Sequence, residues 1–172
     1  MNNVANIKTR PVYRFSANPA LLSSATATAT VTQFKGQNDW VMNKETNDER
    51  FKVLQKQMRG FDMTMFETGA RFNTFYFALK NQNYDMATYQ WKKIKKTIVN
   101  GTVRRPARKA NADAMFIDSQ WKVMQAAIDS KDDAKIWETY ETTKAVCNAC
   151  HMAEKVAFVK VVDPQYPMMP VQ

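Results

Sequence analysis

Cys147-Asn148-Ala149-Cys150-His151 sets two thiols three residues apart with an imidazole directly after them. On a helix, residues three apart share a face one turn from each other. Two cysteines so placed can each form a thioether to one vinyl group of a porphyrin, and the next side chain can reach the iron from the proximal side. The chain holds no other cysteine and no other histidine. A zinc site wants four ligands, and no second Cys or His pair completes one. A thioredoxin-type redox pair wants a strand before it and a βαβ context, neither of which the flanking sequence offers. A disulfide across this helical spacing would be strained. The motif therefore reads as a covalent attachment site for one haem c, with Cys147 and Cys150 as the thioether residues and His151 as the proximal iron ligand.

Upstream of the motif the chain reads as helices. Asn47 or Asp48 caps the first, with Glu49 in its first turn. Phe51, Leu54, Met58, Phe61, Met65, Thr68, Phe72, Phe75 and Leu79 then follow at alternating steps of three and four, a heptad seam. Gly60 and Gly69 weaken this helix locally, and a glycine near the seam makes room for a flat cofactor. After a turn at Asn81-Gln82-Asn83, a second helix carries Tyr84, Ala87, Trp91, Ile94 and Ile98 and stops at Asn100-Gly101. A polar, basic link from Thr102 to Pro106 leads to a third helix carrying Ala110, Ala114, Ile117, Trp121, Met124 and Ile128. The turn Asp129 to Asp133 caps a fourth, which carries Ile136, Tyr140, Thr143, Cys147 and Cys150 and runs to about Val159. Four amphipathic helices with short links imply an all-α fold, an antiparallel four-helix bundle.

The ends differ from this middle. Residues 1–44 read as an extended, irregular arm and 45–160 as the helical domain. Residues 161–172 read as an extended Pro-rich tail, in which Pro164, Pro167 and Pro170 preclude a helix and suggest a strap. Attachment of haem to such a motif takes place outside the bacterial cytoplasm, so a periplasmic or equivalent compartment is expected. Lys8, Arg10, Arg14 and the weakly apolar run from Ala20 to Val31 supply only half of an export signal. The arm is expected to be an ordered extension of a chain whose signal is atypical or lies outside this stretch.

At 172 residues the chain is long enough for one domain with a real core, and 45% of its residues are hydrophobic. No run of about eighteen apolar residues exists, so no transmembrane segment is expected. Net charge is +9, and nothing resembles a nucleic-acid motif. Such charge on a haem protein suits steering of an acidic redox partner. Lys92, Lys93, Lys95, Lys96, Arg104, Arg105, Arg108 and Lys109 cluster around the link between helices two and three, at the end of the bundle that holds the motif. They are candidates for docking that partner or for neutralising haem propionates.

In an up-down bundle, helices one and four run antiparallel, which sets His151 level with about residue 62. Met58 and Met65 both lie on the seam within reach, and methionine is the strong remaining candidate for a sixth ligand. Phe61 lies between them and can instead wall the distal side of the haem pocket. Among eleven methionines, core filling is the ordinary role of a seam methionine.

The stretch from residue 48 to 158 resembles the cytochrome c′ family, four-helix-bundle c-type cytochromes with the attachment motif near the end of the last helix. The first turn, Leu79-Lys80-Asn81-Gln82-Asn83-Tyr84-Asp85, is similar to that family's junction, and the fourth helix starts at Asp132 in its register. The chain departs from the pattern at Met152-Ala153-Glu154-Lys155, where the family often has an aromatic-Arg pair, and in its arm and tail; it reads as a divergent relative. Counted back from the junction, the family's distal position falls on Met65, which is preferred over Met58. The resemblance implies electron transfer with a six-coordinate iron, or binding of nitric oxide or carbon monoxide with a five-coordinate one, and a homodimer or a subunit of a larger assembly. Peroxidase chemistry normally uses a distal base, and no second histidine exists to be one, so an enzyme is not expected.

Overall fold

The structure is a computed structural model that describes residues 39–58, 60–168 and 170. Most of the expected N-terminal arm lies outside the described residues. The chain divides into two units, residues 1–43 and residues 44–172. In the first, the described residues form a turn closed by Asn43 N–H on the Asp39 carbonyl. The second is all-α, with no strand among its described residues.

Its helices are α1 (Asn47–Gln57), α2 (Phe61–Lys80), α3 (Tyr84–Arg104), α4 (Lys109–Ala112), α5 (Trp121–Ser130) and α6 (Asp133–Ala153). A 3₁₀ turn, Pro106–Arg108, precedes α4, and a π-helical segment, Asp113–Gln120, joins α4 to α5. Thr46, rather than Asn47 or Asp48, caps α1, in a reciprocal capping box with Glu49.

The expected first helix is two. The chain leaves helical geometry at Gly60 (φ −99°, ψ −155°), which caps α2 without a side chain, while Asp62 Oδ1 accepts its N–H at 3.0 Å. The heptad spacing runs on through the break, but packing does not. Phe51 is 67% exposed, Met58 is 60% exposed, and no residue of α1 is buried. A seam is only a core when another element covers it.

The core lies among α2, α3, α5 and α6. Phe72, Phe75, Trp91, Phe116 and Tyr140 form a connected aromatic cluster, edged by Tyr76 and Trp137. Trp91 and Trp121 each donate an indole N–H to the other's carbonyl, at 2.9 and 3.2 Å, which joins α3 to α5 without an orphaned polar atom. Contacts between Phe75 and Trp91, and between Thr64 and Arg104, make α2 and α3 antiparallel. Those between Gln120 and Thr143, and between Arg108 and Glu154, do the same for the 106–130 run and α6.

Three helix ends differ from the sequence reading. α3 continues past Asn100-Gly101 to Arg104, because Gly101 is buried against Thr64 and the missing side chain is what lets the helices close. The third helix is broken into 3₁₀, α and π geometry from Pro106 to Gln120, a departure its apolar spacing does not register. α6 ends at Ala153, six residues short of Val159, where Lys155 takes a left-handed conformation (φ 61°) and reverses the chain.

Candidate functional site around Cys147, Cys150 and His151

Asp132 starts α6 by accepting the Lys135 N–H, and twenty-one residues of uninterrupted helix follow. The helix changes character along its length. Ile136, Thr139, Tyr140 and Thr143 are buried in its first half, whereas Cys147, Asn148, Ala149, Cys150 and His151 are each half-buried. On α2 the order is reversed. Its last turns supply Phe72, Phe75, Ala78 and Leu79 to the core, and its first turns bring Phe61 and Met65 only part-way in.

The two helices meet through Phe72 stacked on Tyr140 and Tyr76 edge-on to Trp137. Carried along both helices residue for residue, that antiparallel pairing sets Met65 level with Cys147 and Phe61 level with His151. Thr68, one turn from Met65, has a buried hydroxyl oxygen with no hydrogen-bond partner. A buried polar atom left unmatched between helices marks a place where protein packing alone does not complete the structure. The π-helical segment lies along the other flank of α6, through Gln120 Nε2 on Thr143 Oγ1 at 2.8 Å; π geometry recurs at functional sites.

Both cysteines are free thiols. Burial pushes the Cys147 thiol up to about 12, with Cys150 adding to the shift. Burial also raises Cys150, against the lowering effect of the nearby Arg108 guanidinium. Both are therefore protonated at neutral pH. A disulfide-exchange pair or a thiolate metal site needs the opposite shift. Among the described residues, no group of three His, Cys, Asp or Glu side chains could hold a metal ion.

His151 is held by the chain that follows it. Glu154 N–H bonds Cys150 O, Val156 N–H bonds His151 O at 2.8 Å, and the reversal at Lys155 brings the Val159 carbonyl to 2.7 Å from His151 Nδ1. That carbonyl can only accept, so Nδ1 is the donor, and in the neutral imidazole Nε2 is the nitrogen that keeps a lone pair. Metal-binding imidazoles are commonly fixed in this way. Glu154 ties the same corner to the 3₁₀ turn: Arg108 bonds both its carboxylate and its carbonyl, and Asn111 donates to Oε1 at 2.7 Å.

The expected site residues thus separate into two places. Cys147, Cys150 and His151 lie on the last turns of α6, and the register carried from Phe72 and Tyr140 brings Met65 and Phe61 to their level, Phe61 also standing against Gly101 of α3. Met58, after the last residue of α1, opens onto the outer face of α2 and α3, where its carbonyl accepts from Arg104. It lines a 520 Å³ groove there with Glu67, Arg71, Lys93, Lys96 and Arg104. The basic cluster divides in the same way. Arg108 and Lys109 are paired with Glu154 and Asp113, and Lys95 lies over the Trp121 ring at 4.0 Å. Lys93 and Lys96 face the groove, which holds a single carboxylate, Glu67. Arg71 and then Thr97 bond that carboxylate and hold it below its ordinary range.

What sequence reasoning missed in this region is how the tail is held. It returns along α6, and Asn148 Nδ2 donates to Val161 O at 3.0 Å while Asn148 Oδ1 accepts Val161 N–H at 2.8 Å. Asp163 receives Lys144 Nζ at 2.6 Å and the Tyr140 hydroxyl at 3.3 Å. Asn73 of α2 then bonds Tyr166 O and Met168 N. Only the prolines signalled an extended strap; the asparagines that hold it gave no sign. No helix is long and apolar enough to cross a membrane among the described residues. Compared with family models, with curated proteins and with solved structures, the chain matches none.

Proposed function

We propose that the chain is a monohaem c-type cytochrome that carries single electrons to and from an acidic protein partner, its four helical runs forming an antiparallel bundle like that of the cytochrome c′ family. The observation that carries this reading is the state of the CxxCH segment. Two unpaired thiols one turn apart stand beside an imidazole whose Nδ1 is committed to a backbone carbonyl, so that Nε2 is the nitrogen left to bind iron.

The donor set suits haem better than a bare metal ion, because porphyrin supplies the equatorial ligands and the protein need supply only axial ones. Bound there, haem supplies a one-electron iron couple. Cys147 and Cys150 would hold it through their thiols, His151 would offer a nitrogen to its iron, and Met65 would offer a sulfur. Phe61 and Met65, both half-buried, would line its distal side. Attachment requires an extracytoplasmic compartment, so the protein works in the periplasm or its equivalent. A homodimer or a place in a larger redox assembly fits the same role.

The partner binds at the groove between Arg71, Lys93, Lys96 and Arg104. Glu67 and Met65 lie two residues apart on α2, on opposite sides of the helix, so the groove stands about one helix diameter (~10 Å) from the distal pocket. A second reading, a five-coordinate protein that binds nitric oxide or carbon monoxide, is favoured by the register: Phe61, not Met65, is level with His151.

The test is to express the chain with export and haem-attachment machinery and to weigh the product. A mass increased by one haem, lost in Cys147→Ala and Cys150→Ala together, is the expected result. A colourless protein at its polypeptide mass rejects the proposal. Sharp, split ferrous bands that resist carbon monoxide support electron transfer, and broad bands that shift with it support gas binding.

A further inference from the structure

The role of the C-terminal strap follows from where its first anchor sits. Asn148 is one of the two residues between the cysteines, on the helix that carries both of them and His151. Its amide binds the backbone of Val161 on both sides, N–H to Oδ1 and carbonyl to Nδ2, as a neighbouring strand would. Val161 is two residues beyond Val159, whose carbonyl accepts the His151 Nδ1 proton at 2.7 Å. The turn at the helix end is closed by Val156 N–H to His151 O at 2.8 Å, and beyond Val156 the chain is tied by Val159 N–H to Val156 O at 2.9 Å before it reaches Asn148. A carbonyl on an exposed return loop needs such an anchor to hold one position.

Resting on the haem reading, we infer that Asn148 is a positioning residue for the proximal ligand: by pinning Val161 it fixes the Val159 carbonyl on His151 Nδ1, and so sets the donor strength of His151 towards iron. A held Nδ1–H···O=C bond gives the imidazole more imidazolate character. That favours the ferric over the ferrous state and lowers the reduction potential. The strap is thus a part of the redox site, reached through an asparagine inside the attachment motif. Asp163 of the strap and Asn73 of α2 hold its remainder, further along the chain from the imidazole.

Three variants test this. Asn148→Ala removes both anchoring bonds, Val161→Pro removes the N–H from the other side of the same contact, and Asn73→Ala frees only the stretch from Tyr166 to Met168. In protein without haem, nitrogen NMR of His151 is expected to show a single Nδ1–H tautomer in the wild type and in Asn73→Ala, and a mixture with Nε2–H in the other two. In the haem-loaded protein, the potential is expected to shift upwards in Asn148→Ala and Val161→Pro and to stay at the wild-type value in Asn73→Ala. A wild-type tautomer in both anchor variants overturns the clamp. A changed tautomer with an unchanged potential overturns its link to the iron, as does an equal shift in Asn73→Ala. A protein that takes up no haem rejects the cytochrome reading and the iron-tuning claim with it, and the tautomer comparison still decides the clamp.

Discussion

Gly101 of α3 lies against Thr64 of α2 so closely that a methyl group at 101 would stand 2.5 Å from Thr64 Cγ2 and 2.9 Å from Phe61 Cε2. Thr64 is fully buried, and Arg104 bonds its hydroxyl at 2.9 Å, so it cannot move aside freely. Alanine is a better helix former than glycine by up to about 1 kcal/mol, but overpacking a closed contact costs about 1–3 kcal/mol. Gly101→Ala is therefore expected to destabilise the protein in urea unfolding. Its effect should be smaller in a Thr64→Ala background than in the wild type, a coupling a double-mutant cycle measures.

On the proposed reading, Met65 supplies the sixth ligand. Met65→Ala is expected to convert sharp ferrous bands into broad ones and to open the iron to carbon monoxide, while Met58→Ala leaves the spectrum as it was, because Met58 opens onto the outer groove. An unchanged spectrum in Met65→Ala excludes it as a ligand and favours Phe61 as the distal wall.

The strap should loosen in alkali. Lys144 is bonded to Asp163 and Glu141, and these bonds raise its ammonium above the ordinary 10.5. A raised lysine contributes stability that is present in full below 10.5 and is lost as pH rises through the higher folded value. Tyr140 stays protonated through the same window, since burial pushes its phenol well above 10.0. Protease cleavage between Val162 and Pro167 is expected to accelerate above about pH 10.5, and in Lys144→Gln to be fast already at neutral pH. Equal, pH-independent cleavage in both proteins would contradict the tether.

Docking at the groove should depend on Lys93 and Lys96. Charge reversal at both is expected to slow reduction by an acidic redox protein on the order of tenfold at low ionic strength and to flatten the salt dependence. Lys122→Glu, at a surface lysine whose nearest carboxylate is Asp118 3.9 Å away, serves as the control and should change the rate little.

Much of the molecule was legible in one dimension. The helical periods around Phe75, Trp91, Met124 and Tyr140 name residues that the core buries, and one CxxCH in a chain with no other cysteine or histidine leaves few chemistries open. The same periodicity overreached at Phe51, Leu54 and Met58. Spacing records which residues share a face, and it does not record whether anything covers that face.

What the sequence determined by itself is the helical content, the order of the runs and the pair of thiols next to a lone imidazole, because each depends on residues within a turn or two of one another. The tertiary structure decided the break at Gly60, the closeness of Gly101 to Thr64, the side on which Met58 opens, and the strap. Asn73 meets the strap across 93 and 95 positions of chain, and Asn148 reaches Val161 only after Lys155 has turned the backbone round. An asparagine has no pattern that announces a distant backbone partner; the partner exists only once the helices have packed and brought the returning chain alongside.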